Sequence, residues 1–220
     1  MSLKYLPLFF SLFSNIAQAN QPFTIMIDPT GDGAYAGREI QDTFERGITL
    51  QCAQELKKQL TDKISNIRVV LTRAAGETIQ PMHNALFSNR LQAELYLRIG
   101  FYHEPDMPSH IALFYYAANP TDFWHKPNFL HFYHADQAHL QNLALTKQLA
   151  TNFLQILQNN QINTAFVPYG LFAIPFKPFV GIQAPAIYLE AGLHNTSDWK
   201  YIIKPVIAFV QSLMCEQVST

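Results

Sequence analysis

The sequence predicts an α/β fold: a single domain with a mostly parallel, twisted sheet of about six strands and helices on both faces. Three observations predict it. Short apolar runs at residues 23–28, 67–72, 94–99 and 185–189 are separated by helical stretches. These runs are nearly continuous in apolar character rather than alternating, as in strands buried on both faces. The 220 residues are 49% hydrophobic and only 14% charged, enough apolar material for one well-covered core.

The elements follow in order. Lys4, the apolar run 5–13 and Ala17-Gln18-Ala19 read as a secretory signal peptide over residues 1–19, leaving a mature α/β domain of residues 20–220. The apolar run is far shorter than the ~20 residues a membrane span needs. Residues 23–28 form a strand that ends in a Pro/Gly-rich loop. Residues 45–60 are helical, because Ile48, Cys52, Leu56 and Leu60 recur every fourth position. Residues 67–72 are a β-branched strand, 82–92 a short helix, and 94–99 and 110–116 further strands. Residues 136–159 contain the longest predicted helix, carrying Leu140, Leu143, Leu149, Phe153 and Leu157. A strand at 185–189 and a helix at about 197–214 end the fold.

Composition excludes some partners. A formal net charge of −1 argues against a nucleic-acid surface. Two cysteines, Cys52 and Cys215, lie in the first and last helices. The reading leaves both a disulfide and two buried thiols open.

In a parallel sheet the site lies at the carboxyl ends of the strands. Asp28, Gly100 and Glu190 are predicted there, which argues for one shared cleft. Asp28 reads as a loop-fixing residue that accepts backbone N–H bonds. Arg98 is close enough in sequence to reach the cleft carboxylates or, by alternation, to point away.

Four segments carry a family pattern: Ile27-Asp28-Pro29-Thr30-Gly31-Asp32-Gly33, Glu45-Arg46-Gly47, the run 93–100 ending in Arg98-Ile99-Gly100, and Tyr188-Leu189-Glu190-Ala191-Gly192. Val70-Leu71-Thr72-Arg73, Phe87-Ser88-Asn89-Arg90 and Gly192-Leu193-His194-Asn195 extend it. Together they resemble the zinc-dependent N-acetylmuramoyl-L-alanine amidases that cut peptidoglycan. The resemblance implies a phosphorylase/hydrolase-like α/β domain outside the cytoplasm, periplasmic or secreted, with peptidoglycan or an envelope protein as partner. It also implies zinc held by two histidines and a glutamate, with a second glutamate moving protons between the metal-bound water and the leaving amine. Glu45 matches the ligand glutamate and Glu190 the catalytic one. The two histidine positions fall on Gly31 and Gly100, which have no side chain. The expectation is therefore zinc that is absent or weakly bound, and weak or absent catalysis.

Two alternatives stand beside this reading. Asp32, Glu45 and His103 could rebuild a metal site, one richer in oxygen than zinc prefers. The segment 119–139 holds Trp124, several other aromatics and His125, His131, His134 and His139. It reads as a surface for sugar or a partner rather than as a metal centre. If Arg98 faces the cleft, it takes the place of the metal and pairs with Glu45 or Glu190.

Overall fold

The computed structural model describes residues 21–80, 82–106, 108–117 and 135–218. The expected signal peptide and His125, His131 and His134 lie outside the described residues. Strand β1 is Phe23–Pro29, followed by the short strands β2, Glu39–Ile40, and β3, Thr43–Phe44, and by helix α1, Glu45–Lys63. Strand β4 (Ile67–Leu71), helix α2 (His83–Arg90), strand β5 (Leu95–His103) and strand β6 (His110–Tyr116) come next. Helix α3 (Leu143–Leu157), strands β7 (Val167–Ile174) and β8 (Ala186–Leu193) and helix α4 (Ile203–Val218) complete the chain.

The sheet has six strands in the order β4-β1-β5-β8-β6-β7. β4, β1, β5 and β8 run parallel, as the alternation of strands and helices predicts. β6 lies antiparallel to β8, and β7 is parallel to β6. This departure has a simple cause. Only residues 104–109 join β5 to β6. A parallel return needs a crossover of a dozen residues or more, so the chain turns back.

Side-chain alternation sorts the core into two layers. Ile25, Ile27, Leu97, Ile99, Phe101, Ile187 and Leu189 face α1, α3 and α4 in one cluster. Met26, Tyr96, Ala186 and Tyr188 face the other way, against Ala85 of α2, Phe179 and Ile182. Further along the strands on this face, Asp28 and Arg98 line a cavity with residues of the loops after β1 and before α2.

Three expectations need correction. The stretch 136–159 does not contain the longest helix: a 3-10 turn, Ala135–Leu140, precedes α3, which has 15 residues, while α1 has 19. β7 was not expected, because Pro168 and Gly170 interrupt its pattern. Both are tolerated at a sheet edge, where the register shifts and Gly170 takes φ +140°. Gly100 and Glu190 are not at their strand ends but within β5 and β8, directly paired. Cys52 is buried, Cys215 is exposed, and no disulfide joins them.

Candidate functional site

Glu45 is the first residue of α1 and is 2% exposed. Its placement follows from where β1 stops. Pro29 pairs with Ile99, and Thr30 N–H donates to Ile99 O, after which β5 runs on without β1 beside it. The next free donor on that side, Phe101 N–H, goes to Glu45 Oε1 at 2.9 Å. Glu45 Oε2 accepts Arg38 N–H at 3.1 Å, while Glu45 N–H donates to Arg38 O at 2.8 Å. The carboxylate thus fastens a loop to a strand end, and its position at a helix N-terminus favours its negative charge. Gly37 is required for this: at φ +78°, an added Cβ would lie 2.7 Å from Glu45 Oε2.

Glu190 shares the cleft floor, with its side chain 17% exposed. Its Oε1 takes the Tyr188 hydroxyl at 2.7 Å and Arg38 Nη2 at 2.6 Å. Burial pushes the Tyr188 phenol far up, with the charge of Glu190 adding to it. Burial alone would lower the Arg38 guanidinium, but the hydrogen bond and charge of Glu190 outweigh it and hold the group above its ordinary value. Arg38 also lies over the Tyr102 ring, 5.8 Å from its centre, and donates from Nη1 to Phe101 O at 3.5 Å.

Arg98 does not do what was expected of it. It pairs with Asp28, not with Glu45 or Glu190. The β1–β5 register places Asp28 directly beside Arg98 on the same face. Asp28 also accepts Thr72 Oγ1 at 2.7 Å and Asn84 Nδ2 at 3.3 Å. It therefore fixes the strand ends through side chains rather than through backbone N–H groups.

The other two candidate ligands are placed as follows. Asp32 Oδ1 accepts Ala34 and Tyr35 N–H at 2.8 and 2.7 Å, and Oδ2 accepts Ile79 N–H at 3.0 Å. That makes it a turn residue. The Ile79 N–H, followed by those of Tyr35 and Ala34, holds its carboxyl below the ordinary value against a smaller desolvation. His103 is exposed at the end of β5, with Nδ1 3.3 Å from Leu193 O. Among the described residues no group of three or more His, Cys, Asp or Glu is arranged to hold a metal ion.

The two glycines are tightly enclosed. Gly31 has φ +81°, and a Cβ there would lie 2.6 Å from Arg46 Cβ. At Gly100 a Cβ would meet the Tyr188 hydroxyl and stand 2.8 and 2.9 Å from two ring carbons. A polar row continues past Tyr102. Its hydroxyl lies 3.4 Å from Glu104 Oε2, and Glu104 accepts His110 Nδ1 and His110 N–H at 2.6 and 2.7 Å. Next to Arg98, a cavity of about 490 Å³ is lined by Asp28, Gly31, Asp32, Tyr35 and Asn84.

The sequence reading missed Arg38, Tyr188 and Glu104. Tyr188 was open to discovery, since it is two residues before Glu190 and so shares its face. Arg38 was not, because it lies in a loop with no periodicity.

A sequence profile described as N-acetylmuramoyl-L-alanine amidase matches residues 25–211. The chain belongs to the N-acetylmuramoyl-L-alanine amidase family. A search of curated proteins by sequence finds no match. Solved amidase structures share the fold. One from Clostridium difficile 630 is 18% identical with a TM-score of 0.65, covering 88% of this chain and 97% of that one. AmiC2 of Nostoc punctiforme is 14% identical with a TM-score of 0.64, covering 87% and 97%. The CwlD amidase of Clostridioides difficile, solved in complex with the GerS lipoprotein, is 16% identical with a TM-score of 0.60, covering 87% and 98%. This amidase-family chain therefore shares its fold with solved amidases. The residues at its cleft do not fit a zinc ion: Gly31 and Gly100 offer no donor, which leaves the Glu45 carboxylate short of the three protein donors such a site needs.

Proposed function

We propose that this chain is an extracytoplasmic, amidase-family protein that binds peptidoglycan at the strand-end cleft, with zinc-dependent hydrolysis weak or lost. One observation carries the reading. The Tyr188 hydroxyl fills the place of a side chain at Gly100, while Arg38 supplies the positive charge that Glu190 faces. A catalytic zinc needs three protein donors and an open position for water. Here Glu45 alone stands at a ligand position, one donor where three are needed. A guanidinium can attract an oxygen acceptor, but unlike zinc it does not bring the pKa of a water down toward ~7. A signal peptide over residues 1–19, as Lys4, the apolar run and Ala17-Gln18-Ala19 suggest, would carry the chain out of the cytoplasm.

The test uses the mature chain, residues 20–220. Purified after dialysis, it is expected to hold well under one zinc per chain by elemental analysis. It is also expected to sediment with purified cell walls and to release no labelled muropeptide. One zinc per chain together with wall hydrolysis would overturn the non-catalytic part of the reading. Failure to sediment with walls would overturn the binding part, and would turn attention to an envelope protein as partner.

A further inference from the structure

We propose that Arg38 is the ligand-reading group of the cleft and that it takes an uncharged oxygen acceptor, an amide carbonyl or a sugar hydroxyl, in preference to a carboxylate. This rests on the peptidoglycan reading and names the chemistry that would be recognised.

The first argument is preorganisation. Arg38 is fixed at both ends. Its backbone N–H and C=O are bonded reciprocally to Glu45, the first residue of a helix. Its guanidinium is held by Glu190 at 2.6 Å and laid over Tyr102. A donor locked before binding loses little freedom when a ligand arrives. The second argument is capacity. An arginine has five N–H donors in a planar fork. One goes to Glu190 and one to Phe101 O, and the others have no hydrogen-bond partner among the described residues. The side chain is 47% exposed, so these donors are within reach of a ligand.

The third argument is the sign of the field. Arg38 is flanked by Glu190 and Glu45, and Glu104 lies beyond Tyr102. Arg38 answers Glu190 and His110 hydrogen-bonds Glu104, while Glu45 has only backbone partners. An incoming carboxylate would add one more negative charge to this group. A neutral acceptor gains the hydrogen bonds without that repulsion. Tyr102 against the guanidinium adds a flat surface of the kind that sugar rings and amides pack against.

The experiment compares wild type, Arg38→Gln and the doubly neutral Arg38→Gln/Glu190→Gln. Each is first checked by thermal melting, because the double variant leaves no unpaired carboxylate if the single one folds poorly. Binding is measured on purified walls and by calorimetry with two soluble muramoyl peptides, one with free carboxyl groups and one with those groups amidated. The amidated peptide is expected to bind at least as tightly as the free acid. Both glutamine variants are expected to lose at least about tenfold in affinity, the worth of a hydrogen bond to a charged group. Undiminished wall binding by folded glutamine variants, or a clear preference for the free acid, would overturn the role of Arg38 and leave the peptidoglycan reading standing. If wild type itself binds neither walls nor peptides, that reading falls, and the inference with it.

Discussion

On the β1 side of the cleft floor, Arg98 meets Asp28; on the β8 side, Arg38 meets Glu190. The pairs have the same chemistry and different surroundings. Asp28 is 3% and Arg98 17% exposed, and the pair is shared with Thr72 and Asn84. Arg38 is 47% exposed, and it comes from a loop rather than a strand. A buried pair ties strands together because neither charge can return to water. A half-exposed pair keeps one partner available. The difference teaches which arginine is scaffold and which is free to meet a ligand.

The comparison breaks most readily at the buried pair. Arg98→Ala leaves Asp28 charged and enclosed, which should cost about 3–5 kcal/mol. Arg38→Ala removes the more exposed half of its pair and leaves Glu190, 17% exposed, with the Tyr188 hydroxyl, so its cost should fall below that of Arg98→Ala. Urea denaturation midpoints of the two variants at neutral pH measure the contrast. Asp28→Asn combined with Arg98→Ala should recover most of the first loss. Equal losses for the two arginine variants would erase the distinction between scaffold and reader.

How the sequence bears on these two arginines is itself instructive. The parallel strands, the buried stripe of α1 and the positions of Glu45 and Glu190 are legible, because each follows from local periodicity or from a contiguous motif. The sequence leaves the face of Arg98 open, and the structure sets it beside Asp28. That partner depends on which strand lies beside β5 and in what register, and the β1–β5 alignment puts Asp28 there. Arg38 belongs to a loop whose path is set by Glu45, Gly37 and the exposed edge of β5, contacts between segments some 60 residues apart. Nothing periodic announces such a residue. The turn back of β6 was within reach, because the connection after β5 is too short for a crossover.

A smaller effect sharpens the β8 side. Tyr188 is wedged between Phe176, stacked at 5.0 Å, and Phe114 at 5.6 Å, so its ring has little room to yield. Gly100→Ala drives a methyl group into that ring and should cost about 1–3 kcal/mol by overpacking. In a Tyr188→Ala background the same change should cost much less, because the obstruction is gone. A double-mutant cycle on denaturation midpoints reads this coupling. Additive costs would mean that the tyrosine does not occupy the space of a side chain at residue 100, and the argument against a zinc ligand there would lose its steric half.

The smallest effect lies in the loop next to the Arg98 side. Asp32 is held below its ordinary value chiefly by the Ile79 N–H, which joins the loop carrying Gly31 to the loop before α2. The sign follows from linkage. A carboxyl that is more acidic in the folded state contributes stability that is fully present above its unfolded value of about 3.9 and is lost as pH falls through the folded value. Asp32→Asn should therefore be modestly less stable than wild type at pH 7, and the gap should narrow as both are taken below about pH 4. Denaturation midpoints at the two pH values give the comparison. A gap that stays constant would mean that the turn depends on the shape of the side chain rather than on its charge. It would also place the electrostatic contrast of this cleft entirely in its two arginine pairs.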